Sequence, residues 1–215
     1  FNAALEKCEN AKIYQASSSE MFGTAVDEDK FQRESTPMHP VSPYGCSKLY
    51  AYSIARNFRR AYKMHISNGI LFNHESPRRG SNFVTAKVIK GALEIKYGKA
   101  KYLELGNLDS YRDWGHSKDY TMAMIKLIEY QEPIDIVIAS GKAYSVRDLC
   151  KTVFEKLDMD YKEFIKINPK FLRPQELPYL QGDSSYGRNL LQWKPEYTFE
   201  TLMDDMISHF ELEFL

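Results

Sequence analysis

Two short apolar segments on either side of one long helical segment limit the fold of this chain more than any other feature. Residues 12–16 and 65–72 read as buried strands. Between them, Ser42-Pro43 predicts a helix start, with serine as the N-cap and proline at the first helical position, and the helical pattern continues to about residue 62. A strand, helix, strand order of this kind is half of a doubly wound parallel sheet.

The rest of the chain mixes helix and strand patterns. Residues 73–82 are rich in Pro, Arg and Gly and predict a loop. The elements predicted after it are helices at 84–97 and 117–130 and strands at 102–105 and 134–139. Ser145 and Asp148 have the spacing of a capping box, and apolar residues repeat at helical spacing after them. The pattern as a whole predicts an α/β fold.

The charge balance argues against two classes of partner. Lys+Arg and Asp+Glu both number 29, so no field of one sign favours nucleic acid or a membrane surface. No apolar run approaches the roughly 20 residues of a membrane span. Cys8, Cys46 and Cys150 lack metal-ligand spacing, so we predict free thiols, no metal site and a cytoplasmic location.

Tyr44 and Lys48 form a Tyr-x-x-x-Lys pair in the predicted helix. Residues four apart share a helix face, where an ammonium favours the phenolate, the form of tyrosine that acts as a base. Tyr97 and Lys101 have the same spacing, so the pattern alone is also typical of an ordinary amphipathic pair. The first pair differs in context, because it opens a helix and follows a serine-rich strand end.

The serine run at residues 17–19 adds groups that can handle protons. Ser18 can hydrogen-bond a substrate hydroxyl, and Glu20 lies just past the strand end, where α/β sheets place their ligands. The alternative is a serine-rich turn with a solvated glutamate.

Five segments resemble the GDP-mannose 4,6-dehydratases, a family of extended short-chain dehydrogenase/reductases. They are residues 14–20 (YQASSSE), 42–44 (SPY), 48–52 (KLYAY), 68–80 (NGILFNHESPRRG) and 112–116 (RDWGH). The fourth and fifth segments are far more specific than any pattern common to dehydrogenases. The resemblance runs from about residue 12 to residue 195.

The resemblance implies a fold and a division of the chain. The expected fold is a partial Rossmann-like doubly wound parallel sheet with a smaller mixed α/β substrate-binding lobe. Residues 1–75 would be the carboxyl-terminal half of the dinucleotide-binding domain. Residues 76–215 would form mainly the sugar-nucleotide lobe, with some elements returning to the sheet.

Site residues follow from the resemblance position by position. Ser18, Glu20 and Tyr44 become the catalytic set, and Lys48 binds the ribose of the cofactor, NADP in this family, and tunes Tyr44. Two further residues, His74 and Arg79, also fall where the family contacts this cofactor. The family usually has threonine where Ser18 stands; the lost methyl group leaves the hydroxyl less fixed.

The implied substrate is GDP-mannose. Cations that bind phosphate oxygens well are expected around its diphosphate. The substrate-binding candidates are Asn73, Val84, Lys87, Arg112, Arg173 and Glu176.

The implied reaction is a dehydration with internal hydride transfer. Tyr44 takes the proton of the sugar C4 hydroxyl as hydride passes to NADP. Glu20 then removes the C5 proton, and the C6 hydroxyl leaves as water with acid help. The hydride returns to C6 and gives GDP-4-keto-6-deoxymannose, a precursor of GDP-fucose. The resemblance also implies a homo-oligomer, a dimer or tetramer, with Phe58 and the tyrosines of the first long helix as interface candidates.

Neither Gly-x-x-Gly-x-x-Gly nor Gly-x-Gly-x-x-Gly occurs in the chain, so the loop that binds the cofactor's pyrophosphate is absent from this sequence. Residues 1–10 read as the tail of a helix, and we expect the sequence to begin within a fold that leaves a sheet edge exposed. Two alternatives to an active dehydratase stay open. One is a silent fragment or interaction module that binds a GDP-sugar or a full-length subunit, and the other is a dehydratase or epimerase for another sugar nucleotide.

Overall fold

The computed structural model describes residues 1–8, 10–172 and 175–215. The strands are β1 (Ile13–Ser18), β2 (Ile66–Leu71), β3 (Asn73–Glu75), β4 (Leu103–Leu105), β5 (Tyr111–His116), β6 (Asp135–Ile138), β7 (Ala143–Ser145) and β8 (Ile165–Ile167). The helices are α1 (Asn2–Lys7), α2 (Pro43–Tyr62), α3 (Val84–Lys96), α4 (Ser117–Glu129), α5 (Val146–Lys156), α6 (Tyr161–Phe164), α7 (Ser185–Leu191) and α8 (Phe199–Glu211).

The main sheet is parallel, with strand order β1-β2-β6. All six residues of β2, the central strand, are buried, as expected of a strand covered on both faces. Ile13 and Ile66 pack with Ala55 of α2. Tyr14 and Ala16, which alternate to the other face of β1, pack in the cluster that contains α4. Helices therefore cover both faces of a parallel sheet, which is the predicted α/β arrangement.

Two small sheets lie beyond this one. β5 pairs with β3 in parallel and with β7 in antiparallel orientation, and β4 pairs with β8. Residues 73–82 were predicted as a loop, and the prediction was wrong for Asn73–Glu75. These polar residues form a strand because β5 supplies backbone partners, a cause that local sequence does not reveal.

The lobe that follows has its own apolar core. Buried faces of α3, α5 and α8 meet around Trp114 of β5. The capping box predicted for α5 is present: Ser145 accepts from the backbone N–H of Asp148, whose side chain accepts from Ser145 N–H. The division at residue 75 remains a prediction, since β6 lies in the main sheet although it belongs to the later part of the chain. In the part of the chain that the structure describes, no helix combines the length and apolarity of a membrane span.

Candidate active site

Ser18 and Glu20 lie where β1 ends. The strand runs into a short 3₁₀ turn, Ser19–Met21, and Ser18 caps this turn by accepting from the Glu20 backbone N–H at 3.2 Å. The Ser18 oxygen is the acceptor in this bond, so its own O–H proton can be donated elsewhere. Both residues are thus at the carboxyl edge of a parallel sheet, the usual ligand edge of such folds.

The start of α2 packs directly on Glu20. Ser42 caps the helix by accepting from Gly45 N–H at 3.0 Å, and its hydroxyl donates to Glu20 Oε2 at 3.2 Å. A Cβ atom on Gly45 would lie 2.7 Å from the Glu20 carbonyl oxygen, so a side chain there would force the two elements apart. The sequence in this way fixes the first turn of α2 against the turn that carries Glu20.

Tyr44 and Lys48 project from the first two turns of α2. Tyr44 is 54% exposed, and the Lys48 ammonium lies 5.6 Å from the centre of its ring. Lys48 Nζ also donates to the carbonyl oxygen of Ala16 at 3.0 Å, which ties the lysine to β1. The ammonium is therefore held beside the phenol by the strand that also carries Ser18.

These four side chains share one cleft of about 610 Å³. Its lining residues are Ala16, Ser17, Ser18, Ser19, Glu20, Ser42, Tyr44, Lys48, Leu71, Phe72, Asn73, His74, Arg79 and Phe83. Every residue predicted for catalysis or cofactor contact is among them. The structure therefore brings these residues together.

His74 lines the cleft, and its hydrogen bond defines which ring nitrogen carries the proton. Its Nδ1 lies 2.9 Å from the Phe72 carbonyl oxygen, so Nδ1 carries the proton and Nε2 is left as an acceptor. Burial is the main cause that lowers the pKa of His74. The imidazole is therefore neutral near pH 7.

A second hollow of about 430 Å³ adjoins the first and shares Glu20, Asn73 and Phe83 with it. The predicted substrate residues that line it are Asn73, Val84, Lys87, Arg112 and Glu176. Arg173 lies outside the described residues.

The cations of this second hollow differ in their surroundings. Arg112 Nη2 forms an ion pair with Glu176 at 2.8 Å, and Nη1 donates to the Leu177 carbonyl oxygen at 2.7 Å. Lys87 Nζ lies 3.9 Å above the Phe171 ring. The Lys87 ammonium is therefore positioned by the aromatic ring of Phe171, whereas the Arg112 guanidinium is paired with the Glu176 carboxylate.

Sequence reasoning missed three residues at this site. Phe83 is 43% exposed and stands between the two hollows, and Phe171 supports Lys87. Glu75 is only 1% exposed, and desolvation by burial raises its pKa to about 6 in spite of the nearby Arg79. The sequence offered one signal for Glu75: it is the only carboxylate in the segment 68–80. The remainder of that segment was interpreted as a strand followed by a loop.

Among the described residues, no group of three or more His, Cys, Asp or Glu side chains could hold a metal ion.

Comparison with known proteins identifies the family of this chain. A profile of the family described as GDP-mannose 4,6 dehydratase matches residues 2–206. The GDP-mannose 4,6 dehydratase of Drosophila melanogaster is 43% identical over 215 residues, covering 92% of this chain and 54% of that protein. The GDP-mannose 4,6 dehydratase of Homo sapiens is 41% identical over 223 residues, covering 96% of this chain and 59% of that protein.

Solved structures share the fold. RMD from Pseudomonas aeruginosa, determined in complex with NADPH, superposes with a TM-score of 0.88 at 23% identity over 99% of this chain and 69% of that one. The chain spans a little over half the length of the two relatives, 54% and 59%.

Proposed function

This chain belongs to the GDP-mannose 4,6-dehydratase family, and from that premise we propose that the complete protein converts GDP-mannose to GDP-4-keto-6-deoxymannose with NADP as cofactor. The observation that carries the proposal is the meeting of Ser18, Glu20, Tyr44 and Lys48 around one cleft. These are the groups that two proton transfers on one hexose ring require.

Tyr44 and Glu20 act as bases with different targets. Tyr44, as the phenolate, takes the proton of the C4 hydroxyl, and the Lys48 ammonium stabilises the phenolate charge. Ser18 accepts a hydrogen bond from the Glu20 backbone N–H, which leaves its own O–H proton available. Ser18 donates this proton in a hydrogen bond to the sugar oxygen. Once C4 is a ketone, the C5 proton is acidic enough for the Glu20 carboxylate, which Ser42 orients.

The cleft fits the nicotinamide and ribose half of the proposed cofactor. Lys48 and Tyr44 offer an ammonium and a hydroxyl to ribose oxygens, and Arg79 and His74 line the same cleft. NADP held by these residues would supply the hydride acceptor for C4 and the hydride donor for C6. The pyrophosphate would be held by protein outside this sequence, which has no glycine loop.

The second hollow is proposed for the GDP-sugar. Lys87 and Arg112 bring positive charge to its diphosphate, and Asn73, at the junction of the two hollows, contacts the sugar or the diphosphate. Val84 and Glu176 complete this set. Arg173 is included in the proposed set only because the sequence around it resembles the family.

We also propose a cytoplasmic homo-oligomer, a dimer or tetramer. Three unpaired thiols favour a reducing compartment. Tyr50 on α2 is 71% exposed and available to an interface, whereas Phe58 packs against Phe1 and Tyr62 of its own chain. Sedimentation of the complete protein tests this, and a strictly monomeric species would contradict it.

The test uses this chain extended by the part of the Drosophila melanogaster relative that it does not match. This extended protein is incubated with NADP and either GDP-mannose, dTDP-glucose or UDP-glucose, and products are read by mass spectrometry. The proposal expects loss of water from GDP-mannose.

The family match favours neither alternative, but both have their own outcome in this experiment. A protein that prefers dTDP-glucose or UDP-glucose would be a dehydratase or epimerase for another sugar nucleotide. A folded protein that binds GDP-mannose and NADP without turnover would be a silent binding module.

A further inference from the structure

Glu75 is a buried carboxylate that the proposed reaction does not use. It is the last residue of β3, and its side chain is 1% exposed. Removing a carboxylate from water is costly, and an apolar or amide side chain of similar size would avoid that cost. The contacts of Glu75 therefore indicate what the charge does.

The carboxylate contacts both the loop that follows β3 and the start of the next helix, α3. Its Oε2 accepts from Thr85 Oγ1 at 2.6 Å, in the first turn of α3, and lies 2.9 Å from Arg79 Nε in the middle of the loop. The N–H of Arg79 Nε is not aligned with Oε2, so this contact is an ion pair rather than a directed hydrogen bond. The loop at residues 76–83 is thus attached to the protein interior through one charged group.

Arg79 is held from its other side by an aromatic ring. The centre of its guanidinium lies 3.5 Å from the centre of the Phe83 ring. Since Phe83 separates the two hollows, the carboxylate, guanidinium and ring form a layered wall of the cleft. The ion pair uses Nε, and among the described residues the structure records no hydrogen bond from either Nη group of Arg79.

We propose that Glu75 is a positioning residue that holds the Arg79 guanidinium against the cleft wall with its Nη groups toward the bound cofactor. The identity of this cofactor, NADP, is taken from the proposed function. Glu75 itself touches no ligand and acts through Arg79. A purely structural role would instead join β3 to α3 through Thr85 and leave Arg79 unaffected.

The titratable and charged groups around Glu75 define a pH test. They are Arg79 on the loop, His74 on the same strand, His116 on β5 opposite Glu75 in the register, and Tyr120 on α4. Of these, His74 is the histidine whose charge interacts with that of Arg79. A signal from Arg79 that follows Glu75 must therefore persist when His74 is replaced.

The first experiment uses this chain alone. The Nε–H resonance of Arg79, assigned with Arg79→Lys, is followed by ¹⁵N NMR through the pH range in which Glu75, with its pKa raised to about 6, loses its proton. We expect an inflection near that pH in the wild type and in His74→Gln, and none in Glu75→Gln. Asp109→Asn is the matched control, because it removes the carboxylate of the exposed Asp109–Arg147 pair and should leave the Arg79 signal unchanged.

The second experiment measures NADPH affinity of the extended protein by fluorescence. Glu75→Gln should weaken binding about tenfold, and the double variant Glu75→Gln/Arg79→Ala should bind no more weakly than Arg79→Ala alone. If the double variant instead loses the sum of the two single-variant losses in binding free energy, Glu75 has a structural role and the proposal is overturned. An Arg79 resonance without an inflection in the wild type would also overturn it. If the extended wild type fails to bind NADPH, the proposed function fails, and the NMR experiment still decides whether Glu75 positions Arg79.

Discussion

At the scale of residues, the two proposed bases are held in different ways. Glu20 is fixed at both its backbone and its carboxylate, by Ser18 and Ser42. Tyr44 is half exposed, and its charge partner Lys48 is fixed by the strand rather than by the phenol. A rigid carboxylate and a more accessible phenol suit a reaction in which the sugar enters past Tyr44 and presents C5 to Glu20.

Burial of Glu75 makes one contribution to stability that depends on pH. Desolvation raises its pKa from 4.5 to about 6, so the folded chain binds this proton more tightly than the unfolded chain does. The contribution of Glu75 to the free energy of unfolding is therefore largest below pH 4.5 and is lost as the pH rises through about 6. The loss is about 2 kcal/mol, at ~1.4 kcal/mol per pKa unit.

Glu75→Gln lacks this titration. Relative to the wild type, its free energy of unfolding should rise by about 2 kcal/mol between roughly pH 4 and pH 7, whatever its absolute stability. Urea unfolding of both proteins at several pH values measures the difference. A difference that is constant with pH, or that changes in the opposite direction, would contradict the assignment.

At the scale of elements, α2 connects the fold to the site. Its N-cap Ser42 starts the helix and also contacts Glu20, while Ala55 packs the middle of the helix on the sheet. Local signals were enough to predict this element, because Ser-Pro fixes its start and the apolar face fixes its length. The observed bounds, Pro43–Tyr62, agree with the sequence prediction.

Elements that depend on distant partners were not predicted. Tyr111–His116 contains Arg, Asp, Gly and His, yet forms a strand between β3 and β7, because backbone pairing from both sides replaces local propensity. The position of Glu75 has the same cause, since its burial depends on α3 and β5. The convergence of Ser18, Glu20, Tyr44 and Lys48 was predictable from the strand end and the helix start. The hollow lined by Phe83 and Phe171 was not.

Ser42→Ala tests the junction between α2 and Glu20. Loss of the cap should lower the free energy of unfolding by about 1 kcal/mol, the usual cost for this substitution. Ser42→Thr keeps both the acceptor and the donor and should stay within a few tenths of a kcal/mol of the wild type. Thermal unfolding compares the three proteins, and an unchanged Ser42→Ala would show that this hydroxyl does not stabilise the helix start.

At the scale of the whole molecule, the chain combines a three-stranded parallel sheet with a lobe that has a separate apolar core. The open side of β6 is capped by the Glu34 carboxylate, which accepts from Val137 N–H at 2.7 Å. In the described part of the chain, β1 forms the other edge and pairs with β2 alone. The hollow proposed for the GDP-sugar lies within this chain, whereas a pyrophosphate loop does not occur in its sequence.

The isolated chain should therefore bind substrate better than it turns it over. We expect calorimetry to detect GDP binding to the 215-residue chain. NADPH binding should be weaker than in the extended protein by roughly several orders of magnitude, because the sequence has no helix-terminus phosphate site. Turnover of GDP-mannose by this chain alone should be absent. Lys87→Ala should weaken GDP binding, and the distant Lys151→Ala serves as a control of equal charge change.

The most direct test of the central claim is the rate of GDP-mannose dehydration by the extended protein carrying Tyr44→Phe or Glu20→Gln. General acid–base groups contribute roughly 10² to 10⁴ in rate, so each variant should lose at least about a hundredfold while its GDP affinity stays within about twofold of the wild type. A variant of either residue that turns over GDP-mannose at the wild-type rate would remove that residue from the mechanism and contradict the account.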